Sequence, residues 1–241
     1  MHFWALVLCL FFSFFISQGQ DDYFRFKYLT IDNGLGSGYV ESFLKDKKGF
    51  LWIGTNKSLD RFDGYRVKNY FLNNKDSTAL WGSIVSSVKE DKEGNLWIAA
   101  GRGINKLDFK SNKVYHFLQD DTINFRNLRK LLFENDSLLW IGSDSGLALF
   151  NIRTCKVYQI FKHNPADVNS VKPNGVVGII KDSKGDTWIS SWNNGISRYN
   201  RTQNNFTHFI HNHADSTSIF SIPVFCMVPD ENGIWVLGDK I

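Results

Sequence analysis

Apolar residues in this chain fall in short runs, and no helix-length window repeats them at a 3.6-residue period. Around Trp52 the run Phe50–Ile53 is apolar at successive positions, which marks a strand covered on both faces. A polar break follows, then the short "SLDRFD", a turn, and the alternating "YRVKNYF" of an outer strand exposed on one side. One more short run, "YVESFL", precedes it. The same sentence returns four more times. Its tryptophans stand at Trp52, Trp97, Trp140, Trp188 and Trp235, spaced by 45, 43, 48 and 47 residues. Asp46, Asp91, Glu134 and Asp182 each stand six residues before their tryptophan, and Gly49, Gly94 and Gly185 three before. Ser137 replaces the glycine in the third copy, and the fifth is one residue tighter, with Asp230 five before Trp235. Asp opens such a turn by bonding nearby backbone, and Gly supplies positive φ, so D-x-x-G joins the first two strands of each unit.

Four strands per period of about 40–50 residues predict an all-β fold, a β-propeller of four-stranded antiparallel blades. The blades are expected at about 38–71, 83–118, 127–161, 175–210 and 222–241, within one domain over 20–241. Tyr23–Leu29 resembles an outer strand without its inner partners, and the last copy stops after its second strand. The expected architecture is therefore an orphan outer strand, four full blades and half of a fifth, a fragment of a larger ring of seven blades. A residue needed at one place in every blade serves packing, so the repeated tryptophans and acids are assigned to structure.

Composition narrows the function classes. Of 241 residues 43% are hydrophobic, enough for a sizeable core. The 28 basic and 24 acidic residues are scattered, with no basic block, which argues against contact with nucleic acid. Phe3–Ile16 is nearly unbroken apolar sequence, too short for a comfortable membrane span, and Ser17 and Gly19 sit at −3 and −1 of a cleavage site. Residues 1–19 are read as a signal peptide. The exported chain keeps Cys155 and Cys226, expected to be free and packed.

The unit "GFLWIGTNKSLDRFDGYRVKNYF", preceded by "NGLGSGYVESFLKDKKG", resembles the two-component-regulator propeller repeat. The L-W-I-G-T and R-F-D-G elements carry the likeness, which extends over most of Tyr23–Ile241. Ser58 departs from the usual glycine of its step and is expected to strain its turn. The resemblance implies the periplasmic sensor region of a Bacteroides-type hybrid histidine kinase. The full-length protein would be anchored in the inner membrane and could form a homodimer. It also implies an oligosaccharide ligand from complex glycans, with the remaining blades and signalling domains elsewhere in the full-length protein.

Where the copies agree they hold the fold, so a ligand site is sought where they differ. The loops expected to face the central channel carry Trp81, Arg102, Arg126, Trp192 and His211. An aromatic platform beside an arginine suits a sugar, above all an acidic one. His208, His211 and His213 do not form a complete ligand set in sequence, so neither a metal nor a cofactor is expected. No catalytic constellation is apparent. The competing readings are a secreted polysaccharide lyase or glycosidase, and a protein-docking propeller.

Overall fold

The computed structural model describes residues 26–101, 103–118, 125, 127–172, 175–219 and 223–238. The signal peptide expected at 1–19, the first part of the outer strand expected at 23–29, Arg102 and Arg126 lie outside them. After a 3-10 turn at Ile31–Asn33, the described residues form four four-stranded antiparallel sheets and one two-stranded sheet, each in chain order. The first holds β1 (Val40–Lys45), β2 (Leu51–Thr55), β3 (Ser58–Phe62) and β4 (Val67–Phe71). The second holds β5 (Val85–Glu90), β6 (Leu96–Ala100), β7 (Gly103–Asp108) and β8 (Lys113–Phe117). The third holds β9 (Leu128–Phe133), β10 (Leu138–Ser143), β11 (Gly146–Asn151) and β12 (Lys156–Phe161). The fourth holds β13 (Val176–Lys181), β14 (Thr187–Ser191), β15 (Ile196–Asn200) and β16 (Asn205–Phe209), and the fifth β17 (Val224–Asp230) and β18 (Gly233–Gly238).

First strands pack on first strands: β1 on β5, β5 on β9, β9 on β13, and β13 on β17. The sheets are therefore blades set side by side, each with its first strand innermost. Within the outer strand expected at 23–29, residues 26–29 pair with no described strand. An outer strand needs an inner neighbour to complete its ladder. Here Lys27 instead reaches the first blade's hairpin, its Nζ donating to the Gly64 carbonyl at 3.2 Å.

Four of the five repeat indoles point at the following blade. Trp52 packs with Val85 and Val88 of β5, Trp97 with Leu128 and Leu131 of β9, and Trp140 with Val176 and Ile179 of β13. All three are fully buried. Half-buried Trp188 packs on the cluster of Val224 and Met227 from β17. Trp235 has no described blade beyond it and is 71% exposed. A cation lies over three of the buried or half-buried indoles: Arg61 over Trp52, Lys106 over Trp97 and Arg198 over Trp188, at 6.0, 5.7 and 5.9 Å from the ring centroid.

The six-residue spacing of acid and tryptophan has a direct cause. Asp46 Oδ1 accepts the Lys48 and Phe50 amides of its own turn at 2.9 Å each, and Oδ2 accepts the Trp52 indole N–H at 2.8 Å. Asp182 repeats this with Lys184, Asp186 and Trp188. Gly49, Gly94 and Gly185 turn the chain at φ of +90°, +87° and +83°, as the motif requires. The third turn divides the work. Asn135 Oδ1 takes the Ser137 and Leu138 amides, which frees Glu134 to reach the fourth blade.

Two expectations are corrected. Ser58 is not at positive φ, so it does not need the glycine of its step; its hydroxyl lies 3.1 Å from Thr55 Oγ1. The cysteines are free but exposed, not packed. Cys155 sits at the tip of the β11–β12 hairpin, and Cys226 on a blade whose outward face is uncovered.

Candidate functional site at the inner mouth

The innermost strands share an irregularity that positions the site. Each carries one residue more than its partner strand at the same place. Glu41 is skipped between the pairs Val40–Thr55 and Ser42–Gly54, and Ser86 between Val85–Ala100 and Ser87–Ala99. Arg129, Val177 and Phe225 are skipped likewise in β9, β13 and β17. A β-bulge leaves one residue unpaired and turns its side chain off the regular pleat. Five blades thus present a glutamate, a serine, an arginine, a valine and a phenylalanine at one structural position.

Glu41, Ser86, Arg129 and Val177 line a groove of about 520 Å³, with Lys130, Asp144, Gly175 and Trp192. Arg129 grips Asp144 bidentately, Nε to Oδ1 at 2.7 Å and Nη2 to Oδ2 at 3.2 Å. Asn127 Nδ2 donates to the same Oδ2 at 2.8 Å. Burial pushes the Asp144 carboxyl up, but the bonds from Arg129 and Asn127 outweigh it and hold the group below the usual carboxylate range. The bond to Asp144 raises the Arg129 guanidinium, and the charge of Glu41 adds to the effect. Trp192 is half exposed, its amide tied to the Gly175 carbonyl at 3.1 Å and its ring 6.1 Å from that of Phe225 at 68°. An aromatic ledge therefore stands beside a fixed guanidinium–carboxylate pair, an ammonium and a carboxylate. Such a wall offers stacking and hydrogen bonds in both directions, which suits a polyhydroxylated ligand.

Among the residues singled out from sequence, Trp192 lines this groove. Trp81 does not. Asn105 holds its backbone at both ends, Oδ1 accepting its N–H and Nδ2 donating to its carbonyl, each at 2.8 Å, so it anchors a loop. His211 is also elsewhere, with Nδ1 donating to the Ile219 carbonyl at 2.8 Å. Glu41, Arg129, Lys130 and Asp144 escaped the sequence reading because they lie on strands or next to them, where variation looks like noise. The available signal was the disagreement among copies at the second position of the first strand.

A second groove of about 320 Å³, lined by the acidic turns of the second and third blades, has its charges engaged between blades. Lys47 reaches Glu90 with its amide and the Asp91 carbonyl with its Nζ, Lys92 pairs with Asp136, and Lys181 bonds the Glu134 carbonyl. This groove is a latch between sheets.

With this geometry in hand, the likeness to known proteins has content. Residues 34–57 match the two component regulator propeller family. That stretch carries one copy of the two-component regulator propeller repeat. Histidine kinase P4 of Formosa agariphila is 40% identical over 63 residues, which are 26% of this chain and 5% of that protein. The propeller also superposes on an extracellular domain from B. thetaiotaomicron, assigned to a hybrid two component system. The TM-score is 0.69 at 24% identity, over 89% of this chain and 30% of that one. Virginiamycin B lyase of Staphylococcus aureus shares the fold, with a TM-score of 0.61 at 17% identity over 84% of this chain and 64% of that one. The chain spans under a third of the first two, and likeness at these identities shows the fold. Within the matched stretch 34–57, the signature "LWIGT" reads physically. Trp52 fills the gap to the next blade, and a Cβ on Gly54 would come within 2.5 Å of the Val85 carbonyl of that blade.

Proposed function

We propose that this propeller is the exported ligand-sensing part of a hybrid two-component histidine kinase, and that its ligand is an oligosaccharide held at the inner mouth. The bulge position carries the reading. A strand position that differs in every blade, while the tryptophans and turns around it repeat, is free to specify a ligand. Trp192 and Phe225 supply stacking faces, and Arg129 with Lys130 supplies donors for hydroxyl or carboxylate groups of a uronic-acid sugar. Periplasmic placement and anchoring to the inner membrane belong to the same reading. So does a following blade of the full-length receptor, which would cover exposed Trp235 and Leu237.

Calorimetric titration against neutral and uronic-acid oligosaccharides tests the ligand class. Saturable binding that weakens at least about tenfold in Trp192→Ala, as expected for a stacked ring, supports it. Absence of saturable binding across the panel, or binding indifferent to Trp192, overturns it. In the full-length gene the same substitution should abolish ligand-dependent phosphorylation.

A further inference from the structure

The loop leaving the fourth blade repeats the loop leaving the third almost atom for atom. In one, the Asn164 amide donates to Ser170 Oγ at 3.0 Å, the Ala166 amide to Asn164 Oδ1 at 3.1 Å, and His163 Nδ1 meets the Val171 carbonyl at 3.0 Å. In the other, Asn212, Ser218, Ala214, His211 and Ile219 make the same three bonds at 2.9, 3.0 and 2.8 Å. The sequences "HNPAD" and "HNHAD" differ at one residue, Pro165 against His213. The loop is therefore complete without a second histidine, and His213 is an addition the fold does not require.

Its position has chemical content. A carbonyl only accepts, so the Ile219 oxygen fixes the proton of His211 on Nδ1 and leaves a lone pair on Nε2. That Nε2 lies 3.3 Å from His213 Nδ1, which donates its proton to it when no metal is bound, the rings 4.5 Å apart and nearly perpendicular; a metal ion takes the place of that proton. Tetrahedral metal–imidazole bonds of about 2.0–2.1 Å put two ligating nitrogens about 3.3–3.4 Å apart. A histidine that binds a metal through one nitrogen while its other N–H is held by a carbonyl is the usual arrangement of such ligands.

We propose that His211 and His213 form a two-imidazole site for a divalent first-row transition ion, with the remaining positions taken by solvent. Among the described residues no third imidazole, thiolate or carboxylate joins them. Zn²⁺ fits the tetrahedral spacing as it stands, and Cu²⁺, the tighter binder of an N-donor site, takes it in tetragonal geometry after a small closure of the two rings. The site lies on the loop between the fourth and fifth blades, apart from the groove at the inner mouth. Neither ring lines that groove.

The test is Cu²⁺ titration of the full chain, freed of any affinity tag and followed by electron paramagnetic resonance. His213→Pro installs the residue of the sister loop, so the loop should keep its fold, checked by circular dichroism. A stoichiometric signal with two nitrogen donors, lost in His213→Pro and in His211→Ala, supports the site. No saturable signal, a single nitrogen donor, or the same signal in His213→Pro overturns it. A readout that needs no variant is the ¹⁵N spectrum of the wild-type imidazoles under Zn²⁺. Both rings should shift together, and a spectrum in which these two rings do not move also overturns the proposal.

Discussion

The indole N–H of Trp97 donates to Asp91 Oδ2 at 2.9 Å, across the turn that joins β5 to β6. The same carboxylate accepts the Asn95 amide at 2.8 Å and its side-chain Nδ2 at 3.0 Å. Asp91 thus ties the turn to the residue that fills the gap to the third blade. Both are buried, so removing the carboxylate strands donors away from water. Asp91→Ala should lower stability by about 2–4 kcal/mol, read from the urea midpoint at unchanged m-value. Asp230 occupies the corresponding turn of the fifth copy but is exposed and does not hold Trp235. Asp230→Ala should stay within about 0.5 kcal/mol of wild type.

The tryptophans divide in the same way. Trp97 is fully buried against β9, whereas Trp235 is 71% exposed. Trp97→Ala removes a large side chain from a packed interface and should cost about 3–5 kcal/mol. Trp235→Ala should change the thermal midpoint of this chain little. Equal effects at both positions would mean the indoles do not act by wedging blades.

The period of the fold was legible because packing repeats: each of the first four blades has an indole, an acid six residues before it and a turn. What could not be read is which acid departs from the pattern in geometry. Glu134 keeps the spacing, yet its longer side chain reaches the fourth blade while Asn135 takes over the turn, a division visible only once Thr187 and Arg201 are placed. The inner mouth was half legible. Trp192 stood out as an extra aromatic in a loop. Arg129 and Glu41 did not, because a bulge is a property of pairing between two strands and shows in sequence only as disagreement among the copies at one strand position. Trp81 and His211 drew notice as unusual loop residues; the Asn105 side chain holds the Trp81 backbone, and the His211 ring bonds the Ile219 carbonyl.

Glu134 makes the acid limb of stability predictable. Its side chain is 7% exposed, with Oε2 accepting the Trp140 indole and the Thr187 hydroxyl at 2.8 Å each and Oε1 engaged by Arg201. Burial pushes its carboxyl up, but the bonds from Arg201, Trp140 and Thr187 together hold it below the ordinary value of 4.5. A folded pKa below the unfolded one means the unfolded chain binds the proton first. The stabilisation is therefore complete above pH 4.5 and is lost as pH falls through the folded value. Glu134→Gln should be about 1–3 kcal/mol less stable near neutrality, a figure kept modest because Arg201 is half exposed. The gap to wild type should be constant above pH 4.5 and close as pH falls below it through the lowered folded value, measured by paired thermal melts. Asp144 and Asp182 are also held low and titrate in both proteins, so the difference isolates Glu134.

Asp144 and Arg129 offer a substitution that separates binding from folding. Their side chains are 31% and 55% exposed, so solvent screens the pair and its loss should cost under about 1 kcal/mol. Asp144→Asn keeps the shape and a hydrogen-bond acceptor but removes the charge that neutralises the guanidinium. The groove then carries Arg129 and Lys130 against Glu41 alone. Affinity for a uronic-acid oligosaccharide should rise and its salt dependence steepen, while affinity for the neutral sugar of the same length should stay put. Calorimetry at two ionic strengths reads both. If acidic and neutral ligands respond alike to the substitution, Arg129 is not facing the ligand, and the pair is a strut between β9 and the loop after β10.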